Sequence, residues 1–162
     1  MQIPLFYIVL KRIWYMLPNE KNDLVYLINI LEYIGKTWKY AEGINDPDEL
    51  FELNDQMNLN ASLTLIANIG ENVSKITEKL KKEYKDVEWQ KIKNFRNKVV
   101  HDYVGIDLAI LYEAITNDFS IIKKEIEKII KEQVERNVFN IEEIELCKKS
   151  KYYKYIEFDK IM

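Results

Sequence analysis

Three stretches of this chain repeat apolar residues at three- and four-residue steps, and that periodicity constrains the fold more than any other feature. Leu24, Leu27, Ile28, Leu31, Ile34, Gly35 and Trp38 form the first stripe. Leu59, Leu63, Ile66, Ile69, Gly70, Val73, Ile76 and Leu80 form the second. Leu108, Leu111, Tyr112, Ile115, Phe119, Ile122, Ile126, Ile129 and Ile130 form the third. Side chains three and four apart share one side of an α-helix, so each stripe is the buried face of a long helix. Only four glycines and three prolines punctuate the 162 residues, too few for the turns of a β-sandwich. The expected architecture is all-α, an up-and-down bundle of four to five helices in one domain.

Local signals set the expected boundaries. The first helix starts after Asn22, and Gly43-Ile44-Asn45 ends its run. Asp46-Pro47-Asp48-Glu49 restarts helix with a cap, a proline at the first position and an acid three residues after the cap. One uninterrupted helix is expected from Gln56 to Tyr84, with Gly70 inside its stripe for close approach by a neighbour. Asp86 is the expected cap of the next helix, which buries Trp89, Ile92, Phe95, Val99 and Val100. Asp107 caps a fourth, and Asn140 a short one through Cys147. The expected organisation is an N-terminal extension over 1–22, a helical domain over 23–136 and a C-terminal extension over 137–162.

Composition narrows the function. A net charge of −3 excludes a generally basic nucleic-acid coat, so any such contact must be local. One cysteine, Cys147, excludes an internal disulfide, and with a single histidine it leaves no zinc set. No cofactor or metal is expected, and a reducing, cytoplasmic setting fits. Residues 1–10 are apolar and precede Lys11 and Arg12, the reverse of a secretory leader. That run is also too short to span a bilayer, so the expectation is a docking helix or strand, with Met16 an alternative start.

The only histidine, His101, follows Arg96 by five residues and precedes Tyr103 by two. Asn97 and His101 are one turn apart on the same face. Imidazole both takes and gives protons near neutral pH, and a guanidinium grips a phosphate through two parallel hydrogen bonds. Together they can cut RNA without a metal, His101 moving the proton of a ribose 2′-hydroxyl or of the leaving oxygen and Arg96 holding the phosphate. Asn97 and Asp102 are candidate supports for the phosphate or the imidazole, and Glu71 either braces the site or is a solvated face residue. From Lys75 to His101, nine Lys or Arg stand against four acids. That patch, with Lys93 and Lys98 nearest the motif, suits a phosphate backbone; the plain alternative is a solvated lysine-rich face and a histidine at a helix end. Two-step acid–base cleavage uses two proton-transfer groups, which a homodimer with both Arg–His pairs in one cleft would supply.

At these residues the chain resembles the HEPN superfamily, and more closely its HepT-like toxins, which carry Arg-x-x-x-x-His-x-Tyr. Here the motif is Arg96-Asn97-Lys98-Val99-Val100-His101-Asp102-Tyr103. Ile69-Gly70-Glu71 lies before it, as does Trp89, and Tyr103-Val104-Gly105-Ile106-Asp107 follows. The resemblance covers about Asp23 to Lys131. It implies a bundle that dimerises through its motif face, and a metal-independent endoribonuclease, the toxin of a toxin–antitoxin pair, with Arg96 and His101 catalytic. It also implies a minimal nucleotidyltransferase as cognate antitoxin, which transfers AMP to the motif tyrosine, here Tyr103, in assemblies of a dimer or higher hetero-oligomer. The alternative is a non-catalytic helical module that binds a nucleotidyltransferase or a nucleotide.

Overall fold

The structure is a computed structural model that describes residues 22–101 and 105–162. Among the described residues there is no strand, and the all-α expectation holds. The N-terminal segment expected to dock as a helix or strand lies outside the described residues, apart from Asn22.

Asn22 caps α1 (Asp23–Tyr40): its side-chain oxygen accepts from the Val25 amide at 3.2 Å, and its amide donates to Glu143 at 2.8 Å. Leu24, Leu27, Ile28, Ile30 and Ile34 are all fully buried in α1. Each contributes about 1.5–3 kcal/mol relative to exposure, so α1 is the central post of the bundle. Gly43, at φ +80°, turns the chain out of α1 in a left-handed conformation that glycine adopts freely. The short α2 (Pro47–Glu52) starts as expected, Asp46 accepting from the Glu49 amide at 2.8 Å and Pro47 opening the helix. Glu49 reaches one residue further back than a simple capping pair, to the Asn45 amide at 2.7 Å. Three consecutive left-handed residues, Asn54, Asp55 and Gln56, then reverse the chain into α3 (Met57–Lys75).

The long helix expected from Gln56 to Tyr84 is divided. Ile76 is extended, and Thr77 caps a separate α4 (Glu78–Glu83) by accepting from the Leu80 amide at 3.3 Å. The Asp23 carboxylate accepts from both the Thr77 amide (2.8 Å) and its hydroxyl (2.6 Å), so the start of α1 takes hold of the break. Val73, Ile76 and Leu80 stay buried across the break, which is why the stripe alone reads as continuous. The Asp86 expectation is also corrected. Residue 86 lies in the turn, and α5 (Trp89–His101) begins with the Lys91 and Ile92 amides on the Glu88 carbonyl.

Asp107 does cap α6 (Leu108–Glu113), accepting from the Ala109 and Ile110 amides. A π-helical turn at Ala114–Asp118 joins α6 to α7 (Phe119–Glu135). Trp38 Nε1 donates to the Ile115 carbonyl at 2.7 Å, a partner from α1 for a backbone group inside the widened turn. Asn140 caps α8 (Ile141–Lys148), and a 3₁₀ turn covers Phe158–Lys160. The packing order is α5 on α3, α3 on α1, and α1 on α7.

Residues 137–162, expected as an extension, pack into this core. Ile144 and Ile161 are fully buried, and Phe158 nearly so. Tyr153 donates its hydroxyl to Asn29 at 2.9 Å, and the Tyr155 amide donates to Glu32 at 2.9 Å. A Cβ at Gly35 would lie 2.4 Å from the Tyr155 Cβ, so the tail sits directly on the α1 backbone. No described helix is long and apolar enough to cross a membrane.

Candidate functional site

Only one narrow side of α5 is apolar. Trp89 and Val99 are buried and Ile92 and Phe95 half-buried, all packing towards the core, whereas Val100, expected among them, is 47% exposed. Trp89 Nε1 donates to the Tyr84 carbonyl at 2.9 Å and pins the helix start to the preceding turn. The remaining surface carries Lys91, Lys93, Asn94 and Lys98, all exposed. Arg96 and Asn97 are half-buried, and α3 explains Arg96.

A Cβ built at Gly70 would meet the Arg96 Cβ at 2.1 Å and its Cγ at 2.6 Å. The missing side chain is the socket into which the aliphatic stem of Arg96 fits. The guanidinium then spans two acceptors: Nη2 donates to Glu71 Oε2 at 3.2 Å, and Nη1 to Asn97 Oδ1 at 3.0 Å. The other Glu71 oxygen takes Lys75 Nζ at 3.1 Å, so this carboxylate sits between two cations. Arg96 Nε is buried with no acceptor among the described residues. The side chain keeps 30% of its exposure, so the guanidinium is oriented yet reachable from solvent.

His101 is exposed at the last position of α5. Asn97 lies one turn before it on the same face, so the bend of Arg96 towards Asn97 aims the guanidinium towards the histidine's side of the helix. A rise of 1.5 Å per residue separates positions 96 and 101 by about 7.5 Å along the axis. A phosphodiester can lie between a guanidinium and an imidazole at that interval. Glu71, Arg96 and Asn97 thus form one connected group. Lys93 and Lys98 stand exposed on the same helix with no carboxylate partner among the described residues. Asp102 and Tyr103 lie outside the described residues. Among those described, no group of three or more His, Cys, Asp or Glu gathers as metal ligands.

Two features escaped the sequence. The helix that approaches Gly70 does so with Arg96 itself, and the adjacency of Gly70 and Glu71 was the available signal. The second is Lys75, one turn from Glu71, which spacing along α3 could have found. Beside α5 runs an apolar groove that Ile69, Ile92, Phe95, Ile110 and Ile121 help to line. Ile110 and Ile121 are 51% and 61% exposed there, large values for isoleucine.

The fold and this site define a small α-helical protein with an Arg-x-x-x-x-His helix seated on a glycine. The ribonuclease HepT-like family profile matches residues 30–129, and the chain belongs to that family. Among its relatives, a protein of Methanocaldococcus jannaschii provisionally named RNase MJ1216 is 30% identical over 119 residues, covering 69% of this chain and 91% of the relative. A second from that organism, provisionally named RNase MJ0127, is 32% identical over 113 residues, 70% of this chain and 91% of the relative. A protein of Thermococcus cleftensis provisionally named ribonuclease HepT is 26% identical over 112 residues, 69% of this chain and 99% of the relative. No solved structure matches significantly.

Proposed function

We propose that this protein is a metal-independent endoribonuclease, the toxin of a toxin–antitoxin pair acting in the cytoplasm. The observation that carries the reading is Arg96, clamped between Glu71 and Asn97 and aimed along the face that ends in the exposed His101. Membership of a family described as ribonuclease HepT-like supports it. His101 takes the proton of a ribose 2′-hydroxyl as that oxygen attacks the neighbouring phosphorus, or returns one to the departing 5′-oxygen. Arg96 holds the phosphate and stabilises the charge that builds on its oxygens. Asn97 and Glu71 are positioning residues, since they act through Arg96. Lys93 and Lys98 attract the backbone on either side.

A homodimer brings two such pairs to one cleft and supplies both proton-transfer groups. The exposed Ile110 and Ile121 beside α5 support an association through this side of the bundle. Regulation by a minimal nucleotidyltransferase antitoxin, through AMP transfer to Tyr103, fits the motif. The adduct would set a bulky anion two residues from His101, where it repels RNA phosphates.

Digestion of RNA by purified protein in EDTA tests this reading, with mass spectrometry first showing no AMP on Tyr103. The parent is expected to leave 2′,3′-cyclic phosphate ends, and His101→Ala to lose about 10²–10⁴-fold in rate with its fold intact by circular dichroism. Cleavage by neither would point to a binding module. Equal cleavage by both would remove His101 from the mechanism.

A further inference from the structure

On the side of α5 where α4 lies, Lys81, Lys82, Lys85, Lys91 and Lys93 line one open groove, with Val87 and Trp89 also in its lining. Two of the five are matched by carboxylates: Lys81 pairs with Glu78 at 3.1 Å and Lys91 with Glu88 at 2.5 Å. Lys82, Lys85 and Lys93 have no carboxylate partner among the described residues. Three uncompensated ammonium groups in one groove of a chain with net charge −3 form a local anion site.

The groove also leads somewhere. Lys93, Asn97 and His101 follow one another at four-residue steps, so they form a row along α5. The row spans about 12 Å from the groove to the histidine, with the Lys93 ammonium at its start and the Arg96 guanidinium held on Asn97 midway. Trp89 is buried, so it offers no face on which a base could stack, and the groove reads charge rather than sequence.

We propose that this groove between α4 and α5 is the path of the substrate's sugar–phosphate backbone, and that Lys82, Lys85 and Lys93 hold single-stranded RNA on its way to His101. The inference rests on the ribonuclease reading. It names a single strand because in-line attack by a 2′-oxygen needs a sugar–phosphate unit free to rotate, which a duplex holds fixed. Counterion release then sets the energetics: each phosphate neutralised on a single strand contributes about 0.7 to the slope of log affinity against log salt.

The test uses the full chain and a fluorescein-labelled 2′-O-methyl oligoribonucleotide, which lacks the attacking hydroxyl. Fluorescence anisotropy would follow binding across a salt series. The variant K82Q/K85Q/K93Q is expected to flatten the slope by about 2. The variant K149Q/K151Q/K154Q, altered at exposed lysines of the C-terminal segment, is expected to keep the parent's slope. Both sets are exposed, so both variants should fold, which circular dichroism would check. An unchanged slope in the groove variant overturns the proposal, as does an equal loss in the C-terminal one. Displacement of the oligonucleotide by polyglutamate at equal charge would overturn it in favour of an acidic protein partner. Cleavage of unmodified RNA, followed in parallel, separates the two readings. A parent that cuts while the slope is unmoved leaves the nuclease standing without this groove, and the slope effect without cleavage supports the groove and removes the nuclease.

Discussion

Gly70 shows how one absent side chain decides a site. A methyl group there would meet the Cγ of Arg96 and also its Cβ, an atom fixed to the α5 backbone and unable to swing aside. Alanine gains about 1 kcal/mol of helix propensity over glycine, whereas overpacking costs about 1–3 kcal/mol. At 2.1 Å the contact puts the cost at the upper end, so Gly70→Ala is expected to lower stability by about 2 kcal/mol in urea denaturation and to lift Arg96 away from Glu71. Ribonuclease activity should fall further than stability does. A variant as stable and active as the parent would show that α3 and α5 separate more easily than this contact implies. The sequence located Gly70 as a point of close approach, because a glycine in an apolar stripe has few other uses. It could not name Arg96 as the approaching group, since a charged residue is not an obvious partner for a buried face.

At the scale of elements, four capping residues were legible, whereas Asp86 was misread as a fifth and the interruption at Ile76 was not seen. Asn22, Asp46, Asp107 and Asn140 all cap where their side chains suggest, because a cap is a local bargain between one side chain and the next few amides. The break between α3 and α4 depends instead on Asp23, 54 residues away, and no local pattern could reveal it. Asp23→Ala leaves the Thr77 amide and hydroxyl without that partner and is expected to cost about 1–2 kcal/mol. Hydrogen exchange should show the loss concentrated in α4 and in the turn before α5, with α7 unchanged. Uniform loss across the bundle would assign Asp23 a different role. The π-helical turn between α6 and α7 was equally hidden, since the apolar pattern passes through it.

Over the whole molecule, the tail is where sequence and structure differ most. It reads in sequence as an extension beyond the 23–136 domain, yet its apolar residues enter the core between charges that find partners. Lys123 on α7 is buried at 8% exposure and donates to Glu127 at 2.6 Å and to Glu157 of the tail. Burial pulls the Lys123 ammonium pKa down, and the two carboxylates outweigh it and raise it. Lys123, then Lys160, draw the Glu157 carboxyl from 4.5 to about 2. A carboxyl depressed in this way stabilises the fold above its ordinary value and loses that contribution as pH falls towards 2. Glu157 is largely exposed, so its share is small. Lys123→Ala, which strands Glu127 at 9% exposure, is expected to cost about 3 kcal/mol by thermal or urea unfolding. A change below about 1 kcal/mol would mean that water or a rotamer change rescues Glu127.

The seat of Tyr155 on Gly35 has a further consequence, for the order in which the chain is assembled. Partners 120 positions apart in sequence close this structure, as in the bond from the Tyr155 amide to Glu32, 123 residues earlier. Helices form from local contacts in microseconds, whereas synthesis adds about 5–20 residues per second. A nascent chain therefore carries α1 with its Gly35 flank still wet through most of translation, and the central post of the bundle is sealed only when the tail emerges.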